Sequence, residues 1–411
     1  MRFRSMFTKT ASPVVADFGA SSVKLLQITG GETPAIVAAQ SLEIPDEARG
    51  NTDRRFAFLA QELPGVLRQG GFQGRRIICS PASSHFIVQQ TRIDPTSTLS
   101  ADDQVRAEVA GRMNCLPAAV VARSFPIPGS ERDRVTLAIA REDVMRHVDL
   151  LKRCRFDLVG VQPDQFPMLR AFDHLHRRAE DRTVVTMYVD AGWGAIKVAV
   201  ARGTDLVFAR IIPIGGRQFD EIAAATWGCT ASAARIRRVA EEREALSAPA
   251  PAVREEPAPE QMSAILRAGL AKAARDESQA RERAASGTAV ATDRRQGAPA
   301  PSLSSVGSSA TVAAELADVH ESIAEELLMC ARYSQAAIGS PIDRLVMVGG
   351  ESHSRRFAGH LARRMGVKSS VGDPIRRLLA ATPEGAGVLV PADEHPEWTV
   401  ACGLCAIEVE A

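Results

Sequence analysis

Asp17, Gly19, Ser21, Ser22 and Lys24 stand close together near the start of the chain, and Asp190, Gly192 and Lys197 repeat part of that spacing mid-chain at one constant offset. In each copy an apolar run ends in Asp-x-Gly and a second apolar run restarts a few residues later, which predicts strand, tight loop, strand. The chemistry of these residue types is phosphate chemistry. Glycine lets backbone approach a ligand closely. Ser21 and Ser22 offer hydroxyl and N–H donors to phosphate oxygens, and Lys24 supplies a cation within reach of a β-phosphate. Asp17 and Asp190, presented from two similar halves, can hold a hydrated Mg²⁺, an ion that keeps most of its waters and uses one or two carboxylates. Two further glycine pairs follow. Gly215-Gly216 lies at a strand-to-helix turn, where free N–H groups at a helix N-terminus suit an anion. Gly349-Gly350 ends an apolar run ahead of a helix and is placed to pack against a nucleoside. A lone Asp-x-Gly is usually only a turn. Three such loops in order, two of them at a fixed offset, predict a nucleotide cleft.

The bulk properties bound this reading. A length of 411 residues suggests two or three domains, and 45% hydrophobic residues suffice for globular cores. A net charge of +1 gives no overall pull toward nucleic acid or an anionic membrane, so no nucleic-acid partner is expected. No apolar stretch reaches the roughly 18 residues that span a bilayer, and no signal-peptide core is visible, which predicts a soluble, cytoplasmic protein. The seven cysteines are scattered, with Cys79, Cys154 and Cys330 inside apolar runs, as reduced structural thiols would be. Cys402 and Cys405 form a CxxC that could be a redox or metal half-site. The favoured reading places them as small apolar residues on a helix with Val400, Leu404 and Ile407, since no second CxxC or His pair completes a tetrahedral site. Residues 1–11 are expected to be flexible; Arg2, Arg4 and their apolar neighbours give at most weak membrane affinity.

The elements that must position these residues can be read from periodicity. Strands are predicted at 14–18, 23–29 and 35–44, the last two joined at Gly30-Gly31. A helix at 53–69 carries Phe56, Leu59, Ala60, Leu63 and Leu67 on one stripe, and a strand follows at 76–79. Residues 86–163 form a compact α/β stretch: a strand at 86–93, a helix from the Ser100 cap to 113, antiparallel strands at 120–127 and 134–140, an amphipathic helix at 141–154 and a strand at 158–161. A helix at 167–176 leads to the second copy, with strands at 184–189, 195–201 and 206–212 and a helix at 219–225. No aromatic residue occurs between Trp227 and Tyr333. The segment 247–310, rich in Ala, Pro, Ser, Arg and Glu, buries too little to offset chain entropy and is expected to be a disordered insertion with a short helix near 262–270. Beyond it come a helix at 312–338, a strand at 342–348, a helix at 355–365, a strand at 367–371 and a closing helix at 397–408.

The order of the loops resembles the phosphate-1, phosphate-2 and adenosine loops of the superfamily of actin, sugar kinases and heat-shock chaperone ATPases. The detail is similar to the PilM family of type IV pilus assembly proteins: residues 14–26 resemble its opening motif, 211–219 its segment after phosphate-2, 345–365 its adenosine motif and following helix, and 86–163 its inserted subdomain 1C. The resemblance implies an α/β, two-domain actin-like (ribonuclease H-like) ATPase fold. Domain I would span 12–180 with 1C at about 91–163, domain II 181–400 with the 247–310 insertion, and a closing helix and tail 397–411. It implies ATP and Mg²⁺ as ligands: Asp17, Gly19, Ser21, Ser22 and Lys24 on phosphate and metal, Asp190 and Gly192 in the second loop, Gly349 and Gly350 facing adenosine, with Asp17 and Asp190 reaching Mg²⁺ through water. It implies a cytoplasmic adaptor that binds the short tail of a PilN-like inner-membrane protein in a groove near subdomains 1A and 1C. PilO-like proteins and pilus motor ATPases would be reached indirectly, and the membrane only through the partner.

Some residues depart from the superfamily pattern. Trp193 and Ala195 stand where small or hydroxyl residues are usual, so Trp193 either covers the phosphates or fills their space. Glu351 takes the third position of a usual Gly-Gly-Gly. Ala and Arg within 233–238 replace an acidic ribose ligand, leaving Arg237 or Arg238 as candidate base or ribose contacts. These departures predict little or no ATP hydrolysis. An active ATPase or small-molecule kinase, and a pseudo-ATPase scaffold without nucleotide, are the alternatives.

Overall fold

The computed structural model describes residues 11–247, 308–382 and 394–407. All but the last residue of the expected flexible start at 1–11, nearly all of the expected insertion at 247–310 and the tail from 408 lie outside the described residues. Residues 1–242 and 307–411 form one compact unit and 243–306 a second, of which only the end of one helix, to Ser247, is described.

The first copy of the repeat builds β1 (Val14–Phe18), β2 (Ser22–Ile28) and β3 (Ile36–Glu43). After the short α1 (Asp46–Arg49), α2 (Thr52–Gln69) starts at Asn51, whose side chain accepts from the Arg54 N–H, and leads to β4 (Arg76–Ser80). The chain then makes β5 (Phe86–Arg92), α3 (Ala101–Met113), β6 (Val120–Pro126) and β7 (Asp133–Ala140) before returning through α4 (Arg141–Arg153) to β8 (Asp157–Val161) and α5 (Gln165–Arg170). The second copy builds β9 (Val185–Ala191), β10 (Ile196–Arg202) and β11 (Asp205–Ile212), followed by α6 (Gly216–Trp227), α7 (Ala231–Ser247) and α8 (Ser309–Ile338). The chain ends with β12 (Arg344–Val348), α9 (Arg355–Met365), β13 (Lys368–Val371), α10 (Ile375–Ala380) and α11 (Thr399–Cys405).

Two five-stranded sheets result, ordered β3-β2-β1-β4-β8 and β11-β10-β9-β12-β13, and corresponding strands have the same neighbours and directions. The repeated sequence is therefore a repeated sheet. Each copy's first strand is central and buried along its whole length, as a strand covered on both faces must be. In β1 the two-residue alternation sorts the faces. Val14, Ala16 and Phe18 pack with Leu59 and Leu63 of α2 and Leu150 and Leu151 of α4. Val15 packs on the other side with Ile375, Leu378, Val400 and Leu404 of α10 and α11. The second sheet is covered by Phe219 and Trp227 of α6, Ile323 and Leu327 of α8 and Phe357 and Leu361 of α9. The insert β5-β7-β6 is a separate antiparallel sheet with α3 on one face, where Val105 and Val109 meet Val120 and Ala138; Val135 and Leu137 of β7 join the core of the second large sheet.

Most predicted elements occur within a residue or two of their expected ends. The helix expected at 167–176 stops at Arg170 and continues as a 3₁₀ turn at Asp173–Leu175. The closing helix expected at 397–408 is the shorter Thr399–Cys405, preceded by a 3₁₀ turn at Pro396–Trp398. Helices α1, α7 and α10 have no counterpart in the periodicity reading: two are very short, and α7 is made of Ala, Arg and Glu with hardly an apolar stripe. The buried Cys402, whose thiol burial pushes far up, sits in the α11 interface with sheet one, in line with its reading as a small apolar residue. No helix among the described residues is long and apolar enough to cross a membrane.

Two consequences can be measured. At Gly403 the backbones of α11 and α5 meet so closely that a Cβ would fall 1.7 Å from the Pro167 carbonyl oxygen, whereas a Cβ on Gly65 in α2 would meet nothing. Gly403→Ala should lower the unfolding free energy in urea by about 1–3 kcal/mol, while Gly65→Ala should leave it unchanged or slightly raised. His320 lies between the rings of Phe219 and Phe357, with centroids 5.1 and 4.8 Å away, and burial pushes its pKa down to about 4. Since the unfolded imidazole titrates near 6.5, stability is lost as pH falls from about 6.5 toward 4. His320→Phe keeps a ring there and should recover about 2 kcal/mol at pH 5 relative to pH 7.5 in urea unfolding.

Candidate functional site

The cleft is built from the ends of β1, β8, β9 and β12. Strand register places Asp17 opposite Lys24 and Asp190 opposite Lys197. The glycines close the two loops alike: a Cβ on Gly19 would sit 3.1 Å from the Ser22 carbonyl oxygen, and one on Gly192 3.0 Å from that of Ala195. The loop tips touch, because a Cβ on Gly194 would lie 2.8 Å from that of Ala20. Arg55 of α2, absent from the sequence reading, holds the first loop from behind. Its guanidinium donates to the carbonyl oxygens of Phe18 (3.3 Å), Gly19 (2.6 Å) and Ala20 (2.9 Å), and burial lowers its pKa to about 10. Because a trans peptide points its N–H opposite to its C=O, the N–H groups of Gly19, Ala20 and Ser21 are turned away from Arg55. Lys24 donates to the Ser22 hydroxyl at 3.0 Å.

The two copies differ in what their lysines do. Lys197 is 8% exposed, and its ammonium lies 2.6 Å from Asp190 Oδ2 and 3.1 Å from Asp164 Oδ2. Burial opposes that charge, but Asp164, Asp190 and Asp17 outweigh it and raise the lysine's pKa. Asp164, 3% exposed, takes its place just before α5, and its other oxygen accepts from the Ser80 hydroxyl at the end of β4. The sequence reading missed both residues; for Asp164 the available signal was its place just after a predicted strand, since α/β sheets place their sites at strand ends. Asp17 is also buried, and its carboxyl is pushed up to about 7, by desolvation first, with Lys24 pulling it down and Asp164 pushing it further up.

These contacts correct the expected metal site. Asp190 presents one oxygen to Lys197 and the other to Gly349, where φ is +87° and a Cβ would fall 2.2 Å from Asp190 Oδ1. A hydrated Mg²⁺ needs room for its waters around at least one charged carboxylate. Here Asp190 is already neutralised by an ammonium, Asp17 is enclosed, and among the described residues no group of three or more His, Cys, Asp or Glu is placed to hold a metal. The residues present do not fit the ion.

A second network fills the side of the cleft under β12. Arg238 of α7 pairs with Asp220 of α6 (2.8 Å) and with Glu351 (2.8 Å), all three buried. Burial disfavours the guanidinium charge, and Glu351 and Asp220 together outweigh it; Asp220 is raised by burial and lowered by Arg238. The Trp193 indole donates to Asp220 Oδ2 at 2.9 Å, while the Arg49 guanidinium lies over its ring at 4.9 Å. Glu351 reaches back over α6, where a Cβ on Gly216 would fall 2.0 Å from Glu351 Oε1. Of the two arginines singled out, Arg238 is thus committed to carboxylates, and Arg237 stacks on Trp227 at 4.0 Å and pairs with Glu241 at 2.9 Å. The expectation of free N–H groups at Gly215-Gly216 is corrected too. Gly215 donates to Gln218 Oε1, Gly216 to the Gly192 carbonyl and Arg217 to that of Trp193. Gly350 faces open space.

Removing Arg238 would leave two buried carboxylates without their cation. Arg238→Ala should cost about 3–5 kcal/mol in urea unfolding, and Glu351→Gln in that background should restore part of the loss because it removes one of the orphaned charges.

No protein-family model matches the sequence, and no curated protein matches it by sequence. By structure the chain is similar to a chain of a PilM–PilN type IV pilus biogenesis complex, with TM-score 0.68 and 18% identity over 97% of this chain and 98% of that one. It is also similar to the ethanolamine utilization protein EutJ from Carboxydothermus hydrogenoformans (TM-score 0.47, 11% identity, 97% and 89% covered). A further neighbour is MreB5 of Spiroplasma citri bound to ADP (TM-score 0.44, 8% identity, 90% and 94% covered). The first of these likenesses, at 18% identity, establishes the fold alone: the chain has the two-domain actin-like fold, with the β5-β7-β6 insert.

Proposed function

We propose that this chain is an actin-like adaptor of the PilM type. It would bind the short cytoplasmic tail of a PilN-like inner-membrane protein and thereby join the alignment complex of a type IV pilus or a related secretion machine. The observation that carries this reading is the structural likeness over nearly the full length of both chains, insert included, to a protein solved in a PilM–PilN complex. In this reading domain I spans 12–180, domain II 181–400, and the partner groove lies near the insert. PilO-like proteins and motor ATPases are reached indirectly, and the chain is peripheral to the membrane through its partner.

Nucleotide is the second element of the proposal. The first loop supports it: Arg55 draws three carbonyl oxygens back, turning the N–H groups of 19–21 the other way, and Gly19, Ser21, Ser22 and Lys24 stand beside them. ATP held there would be bound and not rapidly hydrolysed. The rival reading, a scaffold that takes no nucleotide, is favoured by the Arg238–Glu351–Asp220 network and by the touching tips of the two loops.

Calorimetric titration of the full chain with a PilN-like tail peptide should give a saturable one-to-one isotherm, and absence of binding to any such peptide would refute the adaptor reading. A melting temperature that rises with ATP concentration supports the held nucleotide, since a ligand that binds only the folded state must stabilise it. An unmoved melting temperature selects the empty scaffold, and phosphate release well above background would refute both in favour of an active ATPase.

A further inference from the structure

We infer that Lys197 is a built-in counter-cation, its ammonium standing between Asp164 and Asp190 in the place of a divalent ion, so that this cleft is complete without Mg²⁺. The inference concerns the cleft alone and stands whether or not the partner reading holds.

The argument is one of geometry and charge. Three buried carboxylates lie near these strand ends, Asp17 from β1, Asp164 from the turn after β8 and Asp190 from β9, and the Lys197 ammonium bonds the last two. They are 6%, 3% and 5% exposed, so their charges must be met within the protein. A buried divalent ion with its waters would be one solution. The chain supplies another. Lys197 starts directly across the ladder from Asp190, and its stem carries the ammonium past Gly192, whose Cβ position lies 3.9 Å from Nζ. The ammonium ends 2.6 Å from one carboxylate and 3.1 Å from another, both distances of charge-assisted hydrogen bonds. The remaining oxygens are also occupied: Asp164 Oδ1 by the Ser80 hydroxyl, and Asp190 Oδ1 by close packing against Gly349. A metal could enter only by expelling the ammonium from between these two carboxylates. The same lysine joins the halves, since Asp164 follows the first sheet and Asp190 and Lys197 belong to the second. Closure of the cleft at this point therefore depends on a side chain and not on a bound ion.

The test uses Mn²⁺ as the probe and the free-ion electron paramagnetic resonance signal as the readout. The full wild-type chain should leave that signal at the level seen with its Asp190→Asn variant. Lys197→Ala, which opens the space between the carboxylates, should gain one Mn²⁺ site at least tenfold tighter than any in wild type, and adding Asp190→Asn should abolish the gain. One stoichiometric Mn²⁺ site in wild type that disappears in Asp190→Asn would overturn the inference, as would a folded Lys197→Ala that gains nothing. Where Lys197→Ala does not fold, wild type decides alone. Its melting temperature should be the same in excess Mg²⁺ as in EDTA, with or without ATP, and a Mg²⁺-dependent rise that Asp190→Asn removes would overturn the inference. The nucleotide reading can fail separately, by an absent ATP response with the Mn²⁺ results intact.

Discussion

The contact on which the rest depends is the ammonium of Lys197 between Asp164 and Asp190. Breaking a buried ion pair by removing one partner leaves an uncompensated charge and costs several kcal/mol, so such a cluster tolerates little displacement. Its members come from both sheets. The distance between the turn after β8 and the β9–β10 hairpin is therefore set at hydrogen-bond tolerance. The neighbouring geometry follows from that: Ala20 touches Gly194, and Gly349 must be glycine because Asp190 lies where its Cβ would be.

The second network repeats the principle a short distance away. Arg238, Asp220 and Glu351 bring α6, α7 and the turn after β12 to one point, and Trp193 attaches the second loop to the same carboxylate. In both networks the protein places its own cation among its own carboxylates. Arg55 differs, since its hydrogen bonds go to carbonyl oxygens, so that it shapes the first loop while its charge acts on the neighbouring Asp17 from a distance. The result is an asymmetric cleft. The first loop keeps beside it Ser21, Ser22 and Lys24, which no ion pair among the described residues consumes, and the second is tied down at its lysine, its tryptophan and the helix that follows.

Much of the fold was legible because periodicity is local. The apolar run at 14–18 and the stripe at Leu59, Leu63 and Leu67 report burial directly, and the duplicated Asp-x-Gly spacing points to two similar halves, which are the two like sheets. Helix α7 was not legible, because its Ala, Arg and Glu composition merges with the segment beyond it and its deeply buried Arg238 looks from sequence like any other arginine in the run. Asp164 and Ser80 were missed for a related reason. Each lies far along the chain from its partners, and a strand-end Ser or an Asp after a Pro does not by itself name the residue it will meet.

What the sequence determined by itself was the repeat, the strand-loop-strand at each copy, and the presence of Asp, Gly and Lys in both, since glycine loops and alternating apolar runs are set by neighbours within a few residues. What only the tertiary structure decided was the direction each lysine took. Lys24 and Lys197 occupy matching register positions opposite matching aspartates. One reaches the Ser22 hydroxyl, and the other turns inward because a second carboxylate, Asp164, waits there. An ammonium goes where the nearest buried negative charges are, and that depends on which distant strand ends are brought together.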